Sequence, residues 1–138
     1  MSEKQSILII DDTPIILRTL SDMLKQDYNV SFAKSGEQGL EIAKTNMPDF
    51  ILLDVVMPGM SGFDTLRVLK SDGITKHIPV ALITGSDSEA DEERGYELGA
   101  VDYIKKPFVV NVVKHRVWFN MKFISMKRAL ERNEIFDY

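Results

Sequence analysis

Five short apolar runs alternate with segments of helical periodicity along most of the sequence. Three of the runs are apolar throughout, as strands that are buried on both faces must be. The runs are Ile7–Ile10, Val30–Ala33, Phe50–Leu53, Val80–Ile83 and Val101–Ile104. This alternation is typical of a parallel sheet that is covered by helices on both faces. It predicts an α/β fold in which a doubly wound sheet of five parallel strands forms one (βα)5 domain.

Helix signals fill the spaces between these runs. Start signals lie at Thr13-Pro14, at Ser35 with Gln38, at Ser61-Gly62 and at Ser88. The fourth helix, which is expected to end before Gly99, is crowded with acids. These acids are interpreted either as a solvated face that complements the helix dipole or as part of a loosely held element on a moving surface. A fifth helical segment runs from about Val109 to Ile135, which is longer than one layer of the domain requires.

The composition restricts the classes of protein to which the chain can belong. Its 138 residues suffice for one domain with its own core. The absence of cysteine excludes disulfides and thiolate metal sites, and it fits a reducing setting. The sequence has no signal-peptide pattern and no apolar run close to the roughly 20 residues of a membrane span. We therefore expect a cytoplasmic protein that makes no membrane contact.

The net charge of −4 is unevenly distributed along the chain. Residues 1–113 carry 18 acids and 11 bases, whereas residues 114–138 carry 3 acids and 6 bases. Because the acidic body of the chain repels phosphate groups, we expect no direct binding of nucleic acid, and only the basic tail could contact an anionic surface.

Polar and charged residues follow four of the five predicted strands. They are Asp11-Asp12 after the first strand, Asp54 after the third, Thr84-Gly85-Ser86 after the fourth and Lys105-Lys106-Pro107 after the fifth. In an open α/β sheet, ligands bind outside the carboxyl ends of the strands. The sequence therefore predicts that three carboxylates, a hydroxyl and an ammonium group converge at one edge of the sheet.

Three neighbouring carboxylates repel one another unless a cation offsets their charge. The chain offers no cysteine and no useful histidine pair, so a hard cation with oxygen ligands is expected. Mg²⁺ fits best, because it accepts one or two carboxylates and keeps waters that a phosphate oxygen can replace. With the ion bound, a carboxylate can act as a nucleophile toward a phosphoryl group, while lysine and magnesium share the charge of the transferring group.

Each of these groups also has an ordinary structural explanation when it is taken alone. Asp11 and Asp12 could be turn and cap residues, and Asp54 could simply end a strand. His77 and His115 lack the spacing of metal ligands and are interpreted as surface residues. The functional interpretation is favoured because independent structural roles would not place four such groups after four strands.

The four groups lie within motifs through which the chain resembles the receiver domain of bacterial two-component response regulators, over roughly residues 5–120. The motifs are Ile9-Ile10-Asp11-Asp12, Leu53-Asp54-Val55-Val56-Met57-Pro58-Gly59-Met60-Ser61-Gly62, Ile83-Thr84-Gly85 and Tyr103-Ile104-Lys105-Lys106-Pro107-Phe108. The resemblance implies the fold of the chemotaxis regulator, with flavodoxin-like strand order 2-1-3-4-5. It also implies that a sensor histidine kinase or a phosphotransfer protein is the partner, as in other phosphorelays.

The resemblance further implies a role for each site residue. Asp54 would be phosphorylated, and Lys106 and Thr84 would contact the phosphoryl group. Mg²⁺ would be bound directly by Asp12, Asp54 and the backbone carbonyl of Val56, while Asp11 would act mainly through water. Tyr103 would be an aromatic switch that turns inward when Thr84 moves, and the peptide bond from Lys106 to Pro107 would be cis.

Two positions near the phosphoacceptor vary within this family, and here they are Val56 and Ser86. They flank the path of a hydrolytic water. An apolar side chain at Val56 cannot orient that water, so we expect slow self-dephosphorylation. Apart from this reaction and its own phosphotransfer, the domain is not expected to act as an enzyme.

The tail resembles the extended last helix of receivers that are fused to cyclic-dinucleotide synthase or HD-type phosphodiesterase outputs. We expect a receiver domain at 1–120 and an extension of the last helix at 121–138, which would lead to an output domain outside this chain. A stand-alone receiver is the alternative. The domain is expected to end near Val117. After this point apolar residues recur with heptad spacing, and this stripe predicts a homodimer through the last helix. The stripe consists of Phe119, Phe123, Met126 and Leu130. The alternatives are that the stripe folds back on its own domain, packs only in a crystal, or lies on a membrane.

Two other functions compete with that of a phosphorylated receiver. A phosphohydrolase of the haloacid dehalogenase class also uses magnesium and an aspartate after its first strand, but it needs an Asp-x-Asp pair, whereas Asp11 and Asp12 are adjacent. A pseudo-receiver that binds partners without phosphorylation is the second alternative. The intact set of Asp12, Asp54, Thr84 and Lys106 argues against it.

Overall fold

The computed structural model describes residues 4–85 and 88–132 of the chain. Strands and helices alternate through these residues. Their bounds are β1 Ser6–Ile10, α1 Pro14–Leu24, β2 Asn29–Ala33, α2 Gly36–Asn46, β3 Phe50–Asp54, α3 Gly62–Ser71, β4 Val80–Thr84, α4 Glu89–Glu97, β5 Asp102–Lys105 and α5 Val110–Glu131. All neighbouring strands are parallel, and their order in the sheet is β2-β1-β3-β4-β5. The predicted (βα)5 fold and its strand order are confirmed.

The sheet has a separate hydrophobic core on each face. Alternate residues of a strand point to opposite faces, so Leu8 and Ile10 of β1 belong to one core, whereas Ile7 and Ile9 belong to the other. The first core packs against α2 and α3, and the second packs against α1 and α5. Every residue of β3 and β4 is buried, as their continuous apolar sequence predicts.

The predicted helix starts are confirmed with one difference in capping. The hydroxyls of Ser35, Ser61 and Ser88 each accept a hydrogen bond from the backbone N–H three residues later, at 3.1, 3.1 and 3.3 Å. Thr13 occupies the N-cap position of α1, but its side chain makes no capping bond. Its N–H instead donates to Oδ1 of Asp11 at 2.9 Å.

Helix α4 is the most weakly packed of the helices in the described part of the chain. Gly95 is its one buried residue, and Tyr96 is 44% exposed. A Cβ atom at residue 95 would lie 2.6 Å from Cδ1 of Leu82, so glycine lets the helix approach the sheet closely. Gly99, with φ +107°, follows the helix in a conformation that favours glycine.

The extended last helix is confirmed over the 22 residues Val110–Glu131, while Ile135 lies outside the described residues. Its inward face is formed by Val113, Val117, Met121 and Ile124. The expectation that the helix leaves the domain near Val117 is wrong, because Met121 and Ile124 are buried in the core against the sheet. The predicted division of the chain between residues 120 and 121 falls within this continuous helix and stays a prediction.

Two polar contacts fix the second half of α5 to the amino-terminal edge of the sheet. Nε2 of Gln5 donates to the carbonyl of Met121 and to Oγ of Ser125, both at 3.3 Å. Nη1 of Arg128 lies 2.8 Å from Oδ1 of Asp49, whose Oδ2 accepts the N–H of Ser6 at 2.7 Å. The helix is therefore attached to the domain as far as Arg128.

The heptad stripe lies on the outward face of α5. Its residues Phe119, Phe123, Met126 and Leu130 are between 38% and 66% exposed. The alternative in which this stripe folds back on its own domain is therefore not observed. Among residues 4–85 and 88–132, no helix has both the length and the apolar character that crossing a membrane requires.

Candidate functional site

The parallel sheet brings the predicted site residues to its carboxyl edge. Asp11 follows the last residue of β1, Asp54 is the last residue of β3, and Thr84 is the last residue of β4. Lys106 follows β5, and its N–H donates to the carbonyl of Thr84 at 2.7 Å. The side chains of Asp11, Asp54 and Lys106 meet in one cluster, as expected. Thr84 is joined to this edge through its backbone carbonyl, and the role of its hydroxyl stays a prediction.

Three carboxylates form the centre of this cluster. Asp11, Asp12 and Asp54 each offer a carboxylate oxygen such that the three atoms lie within 4.8 Å of one another. Asp11 and Asp54 are buried, whereas Asp12 is partly open to solvent. A set of oxygen ligands that is buried on one side and open on the other suits Mg²⁺, which binds to few protein ligands and retains waters.

Lys106 supplies the positive charge of the site. Its Nζ lies 3.1 Å from Oδ2 of Asp11 and 3.6 Å from Oδ1 of Asp54. The predicted cis peptide bond between Lys106 and Pro107 is observed. Because the ammonium group lies between two carboxylates, it is placed to contact an anion that is attached to Asp54.

Both carboxylate oxygens of Asp11 already have partners in the protein. Oδ1 accepts the N–H of Thr13, and Oδ2 contacts Lys106. These two contacts compete with direct coordination of a cation by Asp11. The assignment of Asp11 as a ligand through water, and of Asp12 and Asp54 as direct ligands, stays a prediction.

The carboxyl group of Asp54 is electrostatically unfavourable in its ionised form. Burial and then the charge of Asp11 raise its pKa from 3.8 to about 6, and Asp12 adds to this. The ammonium of Lys106 and the N–H of Val56, which donates to Oδ1 of Asp54 at 3.4 Å, act in the opposite direction. A divalent cation among the three carboxylates would favour the ionised form, which is the nucleophilic one.

The loop after β3 folds back beneath the phosphoacceptor candidate. The N–H of Gly62 donates to the carbonyl of Val55 at 2.8 Å, and a Cβ atom at residue 62 would collide with the carbonyl oxygen of Asp54. Gly59, with φ +74°, makes the turn that this path needs. The role of the Val56 carbonyl as a magnesium ligand stays a prediction, and the Val56 side chain is 69% exposed beside the site.

Thr84 and Tyr103, the two predicted switch residues, lie on adjacent strands and are both buried. Tyr103 is paired with Leu82 in the sheet, and its ring carbons lie 3.5 and 3.8 Å from where a Cβ at Gly95 would stand. Its side chain therefore points inward, beneath α4. Ser86, the second position that was expected to flank the hydrolytic water, lies outside the described residues.

Sequence reasoning did not anticipate an apolar rim around the acidic site. It consists of Ile15 in the first turn of α1, Val56 in the loop after β3 and Val109 before α5, which are 63–70% exposed. Each residue follows the carboxyl end of a strand, so all three border the same edge of the sheet. Their positions just after the predicted strand ends could have revealed the rim.

A sheet of this topology, with an aspartate cluster and a lysine at its carboxyl edge, defines a receiver domain. The model of the response regulator receiver domain family matches residues 7–117, and the chain belongs to this family. The receiver is a module of two-component signal transduction.

Two curated relatives match this chain over part of their length. The "probable cyclic di-GMP phosphodiesterase" of Vibrio cholerae is 44% identical over 112 residues, which cover 81% of this chain and 25% of the relative. The response regulator PleD of Caulobacter vibrioides is 47% identical over 102 residues, which cover 73% of this chain and 22% of PleD. The matching part of the chain thus spans about a quarter of the length of these relatives.

The fold is also found among solved structures. The chemotaxis protein CheY4 of Vibrio cholerae superimposes with a TM-score of 0.79 and 27% sequence identity. The match covers 83% of this chain and 97% of CheY4. The expected resemblance to the chemotaxis regulator fold is confirmed.

Proposed function

We propose that Asp54 accepts a phosphoryl group from a sensor histidine kinase or a phosphotransfer protein. The observation that supports this most directly is the approach of three carboxylates to within 4.8 Å of one another, with the ammonium of Lys106 3.6 Å from Asp54. Such a cluster is poor as a structural element because its charges repel. It is well suited to hold a cation and a phosphoryl group together.

In the proposed reaction, a carboxylate oxygen of Asp54 attacks phosphorus while the phosphorus–nitrogen bond of a phosphohistidine breaks. The product is an acyl phosphate, and the imidazole of the donor leaves. Mg²⁺, held by Asp12, Asp54 and the carbonyl of Val56, would supply neutralisation of the phosphoryl oxygens. Lys106 neutralises the remaining charge because its Nζ is already beside Asp54.

Phosphorylation would be read out through Thr84 and Tyr103. The hydroxyl of Thr84 gains a phosphoryl oxygen as an acceptor once Asp54 is modified, and this new contact biases the position of the strand end. Tyr103 lies beneath α4, the helix with the fewest buried residues in the described part of the chain. Because α4 is loosely packed and lies beside Tyr103, it is a suitable part of the surface that would change on phosphorylation.

The apolar rim of Ile15, Val56 and Val109 supports docking of a donor protein at the same edge. Exposed apolar residues that surround a polar site can bury area against a partner while leaving the reacting groups free. The exposed apolar side chain of Val56 also supports slow self-dephosphorylation, because it offers no polar group to a hydrolytic water. The reaction would take place in the cytoplasm.

The second half of α5 would connect the receiver to an output or to a second chain. Two relatives named for cyclic di-GMP hydrolysis or for response regulation are about four times longer than the matching segment, which supports an output domain beyond this receiver. The outward stripe of α5 supports a homodimer, because its large apolar side chains are exposed in a single chain. A phosphorylation-independent binding module is the alternative function.

The proposal is tested by incubating the protein with acetyl phosphate and Mg²⁺ and measuring its intact mass. We expect the mass of one phosphoryl group to be added to the wild type and none to Asp54→Asn. Asp64→Asn is the matched control, because Asp64 is an exposed carboxylate paired with Arg67 on α3, and it should be modified normally. A pseudo-receiver would gain no mass, and continuous hydrolysis of the donor without retained phosphate would indicate a phosphohydrolase.

A further inference from the structure

A cleft of about 640 Å³ lies at the end of the sheet opposite to the acidic site. The second half of α5 forms one wall, and the segment between α3 and β4 forms the other. Its volume falls within the range that is usual for small-molecule sites, which is roughly 300–1,000 Å³. The cleft plays no part in the phosphotransfer proposed above.

Five basic side chains line this cleft, although the whole chain has a net charge of −4. They are Lys70, Lys76, His77, Lys127 and Arg128. Arg128 is paired with Asp49, and Glu131 contributes one acid to the lining. Among the described residues, no carboxylate forms an ion pair with Lys70, Lys76 or Lys127. Lys70, Lys76 and Lys127 therefore concentrate positive charge that no ion pair among residues 4–85 and 88–132 neutralises.

Lys70 is held in place although it has no acidic partner in the described part of the chain. Its Nζ donates to the carbonyls of Ile78 at 2.7 Å and of Lys76 at 3.3 Å. Its alkyl chain passes Gly99, where a Cβ atom would lie 3.3 Å from Cγ of Lys70. Burial and the nearby charge of Lys127 lower the pKa of Lys70. An anion in the cleft would relieve this repulsion without having to order the side chain first.

Part of the remaining lining of the cleft is apolar, and Asn120 adds one amide. Pro79, Val101, Phe123 and Ile124 line the cleft together with the basic groups, and Phe123 is the most exposed of the large apolar side chains there. A simple inorganic anion would leave these groups uncovered. A ligand that combines phosphate groups with a flat apolar part would contact both the basic and the apolar surfaces.

We propose that this basic cleft binds a nucleotide with two or more phosphate groups, with the phosphates at Lys70, Lys76 and Lys127 and the base against the apolar surface. The ligand would bind to the receiver at the end remote from Asp54. It would contact α5 at the turns that lead out of the domain.

Isothermal titration calorimetry with ADP in the presence of EDTA tests this proposal, because EDTA removes the cation required at the acidic edge. We expect submillimolar binding of one ADP per chain. Pyrophosphate should bind at least about fivefold more weakly, since it lacks the base. Lys76→Gln and Lys127→Gln should each weaken ADP binding about tenfold. Phe123 also belongs to the outward stripe, so the titration is made at concentrations where the chain is monomeric by light scattering.

Lys122→Gln is the matched control, because Lys122 is an exposed lysine of the same helix that lies over Trp118 and outside this cleft. It should bind ADP within about twofold of the wild type. The proposal is overturned if 10 mM ADP gives no binding, if Lys76→Gln and Lys127→Gln bind like the wild type, or if pyrophosphate binds as tightly as ADP. Tighter binding of a hexaglutamate peptide than of ADP would also overturn it, and would assign the cleft to an acidic protein segment.

Discussion

Replacing Asp54 with asparagine should stabilise the metal-free protein at neutral pH, although it removes the proposed phosphoacceptor. The amide is nearly the same size as the carboxylate and carries no charge. It therefore avoids both causes of the raised pKa, which are burial of an ionised group and repulsion from Asp11. The stabilisation should depend on pH, since the carboxyl group of the wild type is ionised only in part of the accessible range.

The sign and size of the effect follow from the two pKa values. The pKa of Asp54 is about 6 in the folded protein, against an ordinary value of 3.8. Because the folded pKa is the higher one, the contribution of Asp54 to stability is most favourable below pH 4 and is lost as the pH rises through 6. Each pKa unit corresponds to about 1.4 kcal/mol, so the loss reaches about 3 kcal/mol above pH 7. About half of it is already present at pH 5.

Urea unfolding in EDTA at pH 5, 6, 7 and 8 measures this dependence. The advantage of Asp54→Asn over the wild type should grow from about 1.5 kcal/mol at pH 5 to about 3 kcal/mol at pH 8. An advantage that is absent at pH 8, or equal at pH 5 and pH 8, would refute the reasoning, because neither result is compatible with a buried carboxyl group that ionises near pH 6.

Asp72→Asn is a control of opposite sign. The N–H of Ile74 and then the side chain of Lys44 lower the pKa of Asp72, so the ionised carboxylate stabilises the fold above the ordinary pKa. This stability is lost only as the pH falls through the lowered pKa. The asparagine variant should therefore be less stable than the wild type, by an amount that does not vary between pH 5 and pH 8.

Three further predictions concern the metal, the switch and the last helix. Asp12→Asn should stabilise the metal-free protein by at most about 1 kcal/mol, because Asp12 raises the pKa of Asp54 less than burial or Asp11 does. It should also reduce the rise in melting temperature that Mg²⁺ gives by binding the folded state. Thr84→Ala should still be phosphorylated on Asp54, but the NMR signals of Tyr103 should no longer respond to phosphorylation. Phe123→Glu should lower the molar mass measured by light scattering, most clearly with beryllofluoride bound as a phosphate mimic.

Each of these predictions has an outcome that contradicts it. Equal magnesium-induced shifts in melting temperature for Asp12→Asn and the wild type would remove Asp12 from the metal site. A Tyr103 response that persists in Thr84→Ala would separate the two switch residues. A monomeric mass for both the wild type and Phe123→Glu, with and without beryllofluoride, would end the dimer proposal. Lys122→Glu places the same carboxylate on the same helix but outside the stripe, and it serves as the control for added negative charge without loss of an apolar side chain.

The fold and the centre of the site could be predicted because their signals are local. An apolar run that ends in aspartate gives both a buried strand and the position of its carboxylate, and this applies to Asp11 and to Asp54. Once the strands are parallel, their carboxyl ends must share an edge. The order of the strands did not come from these patterns, since it depends on which non-neighbouring segments pair, and it was implied by the family resemblance.

The path of α5 could not be predicted in the same way, because this helix has two apolar stripes. One contains Val117 and Met121 and packs against the sheet, and the other contains Phe119 and Phe123 and faces outward. Both have spacings that suit a helix, and the outward stripe has the more regular heptad spacing. The sequence does not show which stripe meets the sheet. The contacts of Gln5 with Met121, and of Asp49 with Arg128, join residues that are far apart in sequence.

The capping of α1 differs from the sequence prediction for another reason. The local sequence at Thr13-Pro14 has the form of a helix start, and the helix does begin there. The backbone N–H of Thr13, however, is engaged by Asp11, and the threonine hydroxyl makes no capping bond. Asp11, a residue of the predicted site, thus binds the backbone at the start of α1. The sequence pattern of capping residues does not reveal this contact.

The attachment of α5 to the sheet as far as Arg128 has a consequence for any helical segment that continues from it. Because the sheet fixes both the position and the rotation of α5, each later residue faces a direction that is determined relative to Asp54. Removing one residue after Arg128 would rotate everything downstream by about 100°, whereas removing seven would nearly restore the original direction. The angular phase of such a continuation is therefore set by the packing of α5 against the sheet, and the salt bridge between Arg128 and Asp49 holds the last turn of the helix.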